Sequence, residues 1–259
     1  MHMKNQIITG GIGASTFLAM ALAASTSASQ TTPLYQGSGA STPESQLSLF
    51  PVTIGATVSS SNGATTLDTT NSFGLQDGYY NTSPITLKFV NLQFPDLNPA
   101  DGFTVGLDVQ INTESHTINT SVNSNRAGFG LIDLGDDKKG IELEFWGDDV
   151  WVQNSDFTHG EDFVFNTEAA SHHYDLTVKG TTYTLSADNT QILTGSTRDY
   201  SARGAPYTLP NYISIGDDTA EAEAKETFTT LSVTVPEPGT ASAILAIGAA
   251  MLSRRRRPE

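Results

Sequence analysis

Apolar residues alternate one for one with polar residues along most of this chain, and that period of two restricts its fold more than any other feature. In FTVGLDVQI, Phe103, Val105, Leu107, Val109 and Ile111 fall on one side, with Thr104, Asp108 and Gln110 on the other. HYDLTV sets Tyr174, Leu176 and Val178 against polar neighbours, and TFTTLSVTV repeats the pattern with Phe228, Leu231 and Val233 after one break in phase. Successive side chains of a strand point to opposite faces, so this spacing describes strands with one buried face; a helix would repeat its apolar positions every three to four residues. VKGTTYTL and SADNTQIL place turn residues between such runs. The exception, TAEAEAKE (Thr219–Glu226), is a short stretch compatible with a loop. About eleven to thirteen short strands separated by turns predict an all-β sandwich or barrel.

The two ends do not share the pattern. Lys4, the apolar to small-residue run IITGGIGASTFLAMALAAS and the small residues of STSASQ read as an export signal over residues 1–28, cut after Ala28. Residues 29–46, rich in Ser, Thr, Gly and Pro, read as a linker. The chain has 28 acidic and 13 basic residues; setting aside Lys4, Arg254–Arg257 and Glu259 leaves 27 and 8, a balance of about −19. Such a surface repels nucleic acid and other polyanions and tolerates divalent cations and neutral sugars. There is no cysteine, so stability in an exported body must come from burial.

At the other end, Pro236-Glu237-Pro238 precedes an apolar run from Gly239 to Ser253 and the cluster Arg254, Arg255, Arg256 and Arg257. Fifteen residues make a helix of roughly 22 Å, short against a bilayer core of roughly 30 Å, and the arginines would hold its end on the cytoplasmic side. Residues 235–259 resemble the PEP-CTERM sorting signal of Gram-negative bacteria. The resemblance implies an exosortase as processing partner, transient insertion in the inner membrane, removal of the tail, and a destination at the cell surface or in a biofilm matrix. An ordinary single-span anchor is the alternative.

RAGFGLIDLGDDKKGIELEFWGDDVWVQN, YDLTVKGTTYTLSADNTQILTGSTRDYS and PNYISIGDDTAEAEAKETFTTLSVTV carry a second resemblance over residues 47–234, most specific at Arg126–Phe129, Ile141–Trp146, Asp199–Ser201 and Asn211–Thr219. They are similar to the concanavalin A-like lectin/glucanase domains (LamG-like), particularly the group called choice-of-anchor Y. This implies a two-sheet antiparallel jelly-roll sandwich with one concave sheet. It implies no particular activity.

Within that region GIELEFWGDDVWVQN reads as a hairpin turning at Asp148-Asp149, with Trp146 opposite Trp151 and Glu144 opposite Gln153. Ile141, Leu143, Phe145, Val150 and Val152 take the core side; Glu142, Glu144, Trp146, Trp151 and Gln153 take the other. With Asp108 and Gln110 from one neighbour and Arg126 from another, these residues would line a groove whose indoles stack on pyranose faces and whose carboxylates and amides bind hydroxyls. The alternative is sheet packing: a cross-strand aromatic pair is worth up to about 1 kcal/mol without a ligand, and Glu144 could simply pair with Arg126.

Glu142 and Glu144 also raise glycan hydrolysis, since retaining glycosidases set two carboxyl groups about 5–5.5 Å apart. The related glucanases use Glu-x-Asp-x-x-Glu, which here becomes Glu142, Glu144 and Gly147; without the last acid there is no division between acid and nucleophile. The expectation is therefore a non-catalytic protein. Asp133, Asp136 and Asp137 in DLGDDKKG, and Asp217 and Asp218 in GDDT, are candidate Ca2+ ligands, or ordinary turn residues. His172 and His173 point to opposite faces of a strand, and His116 and His159 fall in polar loops; structural or solvent-exposed roles are expected for them. The leading functional expectation is an exported surface or matrix protein that binds or organises extracellular polysaccharide. A purely structural matrix protein is the second reading and a glycan-cleaving enzyme the third.

Overall fold

A computed structural model describes residues 28–71, 74–116 and 125–237. Sixteen strands run through them. The first eight are β1 (Ser29–Gln36), β2 (Phe50–Ile54), β3 (Thr57–Ser61), β4 (Ala64–Asp68), β5 (Gln76–Tyr80), β6 (Phe103–Ser115), β7 (Gly130–Leu134) and β8 (Lys139–Phe145). There follow β9 (Asp149–Gln153), β10 (His159–Val164), β11 (His172–Lys179), β12 (Thr182–Ala187), β13 (Thr190–Ser196), β14 (Arg198–Asp199), β15 (Tyr212–Asp217) and β16 (Glu223–Pro236). They form two antiparallel sheets. The first has the order β13-β12-β11-β6-β16-β4-β3, with β1 also on β16; the second has the order β10-β9-β8-β7-β15-β5-β2, with β14 also on β8. The protein is an antiparallel jelly-roll sandwich. Among the described residues, no helix is long and apolar enough to cross a membrane. The apolar run and Arg254–Arg257 lie outside those residues, as does the export segment up to Ser27.

The inward rows are those that the alternation defines. Phe103, Val105, Leu107, Val109 and Ile111 of β6 and Tyr174, Leu176 and Val178 of β11 meet Ile141, Leu143, Phe145, Val150 and Val152 of the second sheet in one buried cluster. Phe145 packs edge-on against Tyr174 at 5.1 Å and Phe228 against Tyr79 at 5.9 Å, so aromatic rings tie the layers together. The phase break in β16 is a bulge: its register with β6 shifts between Phe228 and Thr230, which turns both Phe228 and Leu231 inward although they are three residues apart.

Three expectations need correction. Residues 29–36 are a strand, not part of a linker: β1 pairs with β16 from Ser29↔Pro236 to Gln36↔Thr230, and its Leu34 and Tyr35 are wholly buried. Ser, Thr and Pro composition concealed it because only those two residues face the core, and a register shift between Pro33 and Tyr35 breaks the alternation. TAEAEAKE divides into a short connection and the start of β16 at Glu223. The β8–β9 hairpin turns at Gly147-Asp148, which sets Glu144 opposite Trp151 and joins Trp146 to Asp149 by a backbone bond of 2.9 Å. Sliding the register by two residues leaves every side chain on its expected face but changes its partner.

A linker tolerates truncation of its side chains and a core strand does not. Leu34→Ala should cost about 2–5 kcal/mol in chemical denaturation, and an unchanged midpoint would mean that β1 contributes no core.

Candidate functional site

The second sheet is buried on both faces around β7, β8 and β9. Its outer face carries Ile132, Leu134 and Tyr212, covered by Tyr200 and Tyr207 from the segment between β14 and β15. Glu142, Glu144, Trp151 and Gln153 face away from the core and are still only 0–3% exposed; the tyrosines reach Glu142 and Gln153, and His159 stacks on Trp151. Gly130 stands opposite Glu144, and a Cβ there would lie 3.0 Å from its Oε2, so glycine makes room for this carboxyl.

Arg126 joins these groups. One guanidinium nitrogen donates to Gln153 Oε1 at 2.7 Å and Glu142 Oε1 at 3.4 Å, and the other to Asp218 Oδ1 at 3.0 Å. Glu142 Oε2 accepts from the Tyr207 hydroxyl at 2.8 Å, and the Tyr200 hydroxyl donates to the Gln153 carbonyl at 2.6 Å. Burial, with the charge of Asp218, raises the Glu142 pKa against the pull of Arg126. Burial and the neighbouring Glu142 raise that of Glu144. One guanidinium thus faces three carboxyl groups, those of Glu142, Glu144 and Asp218, in a poorly solvated site.

Beside this network lies an open cavity of about 470 Å3. Tyr80, Phe157, Tyr207 and Tyr212 line it, with Arg126, Ser214 and Asp218 supplying polar groups. Its size is in the range of small-ligand sites, and a few polar groups among aromatic walls are what such sites use for orientation. The sequence reading missed these aromatics. Their signal is the tyrosine richness of QDGYYN and APYTLPNY, but only the fold brings the two segments together.

The expected groove is not built as drawn. Arg126, Glu142, Glu144, Trp146, Trp151 and Gln153 do gather, and the indoles are neighbours with centroids 5.3 Å apart. Their faces, however, are occupied by imidazoles: His116 stacks on Trp146 at 3.9 Å and His159 on Trp151 at 4.3 Å. Trp146 also donates from Nε1 to the Arg126 carbonyl at 2.9 Å. His116 and His159 therefore pack against the indoles, which their loop-like sequence context did not indicate. Asp108 and Gln110 belong to the other sheet and face outward there; Asp108 binds His173 at 2.6 Å and also Thr230, while Gln110 donates to the Glu168 carbonyl at 3.1 Å.

The five candidate Ca2+ carboxylates do not converge either. Asp133 points into the core between its cross-strand neighbours Ile141 and Ile213, and neither of its oxygens has a hydrogen-bond partner. Asp136 and Asp137 sit in an exposed turn, where Asp137 caps the Lys139 amide at 3.0 Å. Asp218 is held by Arg126. Asp217 is buried and accepts from Thr69 at 2.8 Å and the Thr219 amide at 2.9 Å. It shares one end of the core with Asp77 and Glu226, whose pKa is raised by burial and by the charges of Asp77 and Asp217. Among the described residues, the one set of three His, Asp or Glu side chains whose ligand atoms approach within 4.8 Å of one another is Asp149, His159 and Asp162.

No family model matches the chain, and no curated protein matches it. Solved structures do. A sialidase superposes with a TM-score of 0.50 at 11% identity, over 88% of this chain and 21% of that one. A carbohydrate esterase from a Shiga toxin-encoding bacteriophage gives 0.49 at 14% identity, over 80% of this chain and 100% of that one. The Ca2+/Man-bound exoplasmic/lumenal domain of VIP36 gives 0.43 at 8% identity, over 72% and 82%. The chain thus spans about a fifth of the sialidase. At these identities the likeness is one of fold.

The buried acids make stability depend on pH in an unusual sense. Burial raises Asp77 to about 7 and Asp217 to about 9, whereas unfolded carboxyls titrate near 4. Between those values the folded state binds more protons, so its stability is fullest at low pH and is lost as pH rises through about 7 and 9. The melting temperature should be several degrees higher near pH 5 than near pH 8, and Asp77→Asn should flatten the slope around neutrality. A melting temperature that rises with pH over this range would contradict the assignment.

Proposed function

We propose that this is an exported protein of the bacterial cell surface or extracellular matrix that binds polysaccharide without cleaving it. The cavity between Tyr80, Phe157, Tyr207 and Tyr212 carries the reading. Aromatic walls suit the C–H faces of pyranose rings, and a carboxylate and a hydroxyl suit their hydroxyl groups. Asp218, with 37% of its side chain exposed, can accept from a sugar hydroxyl while its other contact remains with Arg126. Arg126 already faces the carboxylates of Glu142 and Asp218, which offset its charge toward an anionic sugar. Neutral glycans are therefore the favoured class, in keeping with a net charge of −15. The names of a sialidase, a carbohydrate esterase and a Man-bound lumenal domain among the structural neighbours agree with a glycan role in general terms.

Catalysis is disfavoured by the same chemistry. Glu142 and Glu144 are both buried, Glu142 holding the Tyr207 hydroxyl, and Gly147 stands where a further acid would be needed. Export and exosortase sorting belong to the proposal on the order Pro236-Glu237-Pro238, apolar run, arginine cluster. β16 ends at Pro236, and the Glu237 amide bonds back to Ala28, so the motif begins where the sandwich closes.

Retention on immobilised neutral polysaccharides tests the binding reading. Tyr80→Ala, a change at a half-buried position, should weaken retention about tenfold without creating or removing any release of reducing ends. Undiminished retention by the folded variant would reject the cavity as the site. Mass spectrometry of the mature protein addresses sorting: the expected product lacks Arg254–Arg257, and an intact C-terminus would speak for an ordinary anchor.

A further inference from the structure

The edge hairpin of the second sheet contains a donor set that the glycan reading does not use. β9 and β10 pair as Asp149↔Val164, Trp151↔Asp162 and Gln153↔His159, with an irregularity between His159 and Asp162. In a regular strand, residues three apart point to opposite faces. The bulge cancels that alternation and puts His159 and Asp162 on the face that already carries Asp149. One ligand atom from each lies within 4.8 Å of the others.

Two further features go beyond proximity. The His159 ring is clamped nearly parallel to Trp151, at 4.3 Å and 10°, and lies 5.0 Å from Trp146, so its plane is set by packing. Asp149 Oδ1 is buried from solvent and has no hydrogen-bond donor.

We propose that Asp149, His159 and Asp162 form a binding site for a divalent transition metal of the Zn2+ class. The donor chemistry selects the class. One imidazole nitrogen with two carboxylates suits Zn2+, Ni2+ or Cu2+, whereas Ca2+ takes six to eight oxygens. Two carboxylates neutralise the ion, and ligands at about 2.0–2.2 Å from a common centre are reached from the present spacing by small side-chain rotations. Three protein ligands leave the remaining coordination positions to water. The site stands apart from the aromatic cavity, since none of its three ligands lines that cavity.

Trp146 and Trp151 are the chain's two tryptophans, and both rings pack against His159, so they report directly on the metal. Titrating the whole protein with Ni2+ should quench indole emission in a saturable, one-to-one curve, and Zn2+ should restore the emission while Ca2+ in excess should not. Asp162→Asn, at an exposed position, and His159→Gln should each weaken the Ni2+ response at least about tenfold; circular dichroism of both checks that the fold is kept. If His159→Gln fails to fold, Asp162→Asn alone decides. Linear, non-saturating quenching, an Asp162→Asn curve equal to that of the parent, or restoration of emission by Ca2+ as effective as by Zn2+ would each overturn the site.

Discussion

One guanidinium holds the outer face of the second sheet together. Arg126 reaches Gln153, Glu142 and Asp218, three residues from three strands or strand ends, and its carbonyl receives the Trp146 indole. Burying Glu142 without it would leave a charge in a site that water does not solvate, at a cost of several kcal/mol. With it, the carboxylate becomes an acceptor for Tyr207, and the covering segment can close over the sheet. Tyr207, held to Glu142 in this way, is also one wall of the cavity, and Arg126 and Asp218 line it too.

The same network sets the surroundings of Glu142 and Glu144, which share one face of β8. A glycosidase must present both carboxyl groups to its substrate, one protonated and one not. Here the two share one face of β8, point away from the inter-sheet core and are 1% and 3% exposed, with Tyr207 bonded to Glu142. What remains open to solvent is the aromatic recess, to which Arg126, Ser214 and Asp218 contribute polar groups.

The fold was legible in the sequence because burial on one face imposes a period of two, and β6 and β11 obey it without a break. What escaped was whatever depends on a bulge or on a distant partner. The bulge before Tyr35 hid β1, and the bulge between His159 and Asp162 hid three converging donors. The hairpin register was misjudged because Gly147, Asp148 and Asp149 are all turn formers, and choosing among them takes the actual pairing. The faces of Glu142, Glu144, Trp151 and Gln153 were readable, but the tyrosines over Glu142 and Gln153 were not, since they lie 65 and 47 positions away. Asp108 and Gln110 were drawn into the wrong sheet because alternation reveals a face and says nothing of strand order.

The most direct test is the unfolding free energy of Arg126→Met, which keeps the bulk of the side chain and removes its charge. The account predicts a loss of about 3–5 kcal/mol near neutral pH, shrinking as acid protonates Glu142. A variant as stable as the parent at neutral pH would contradict the central role given to this one residue.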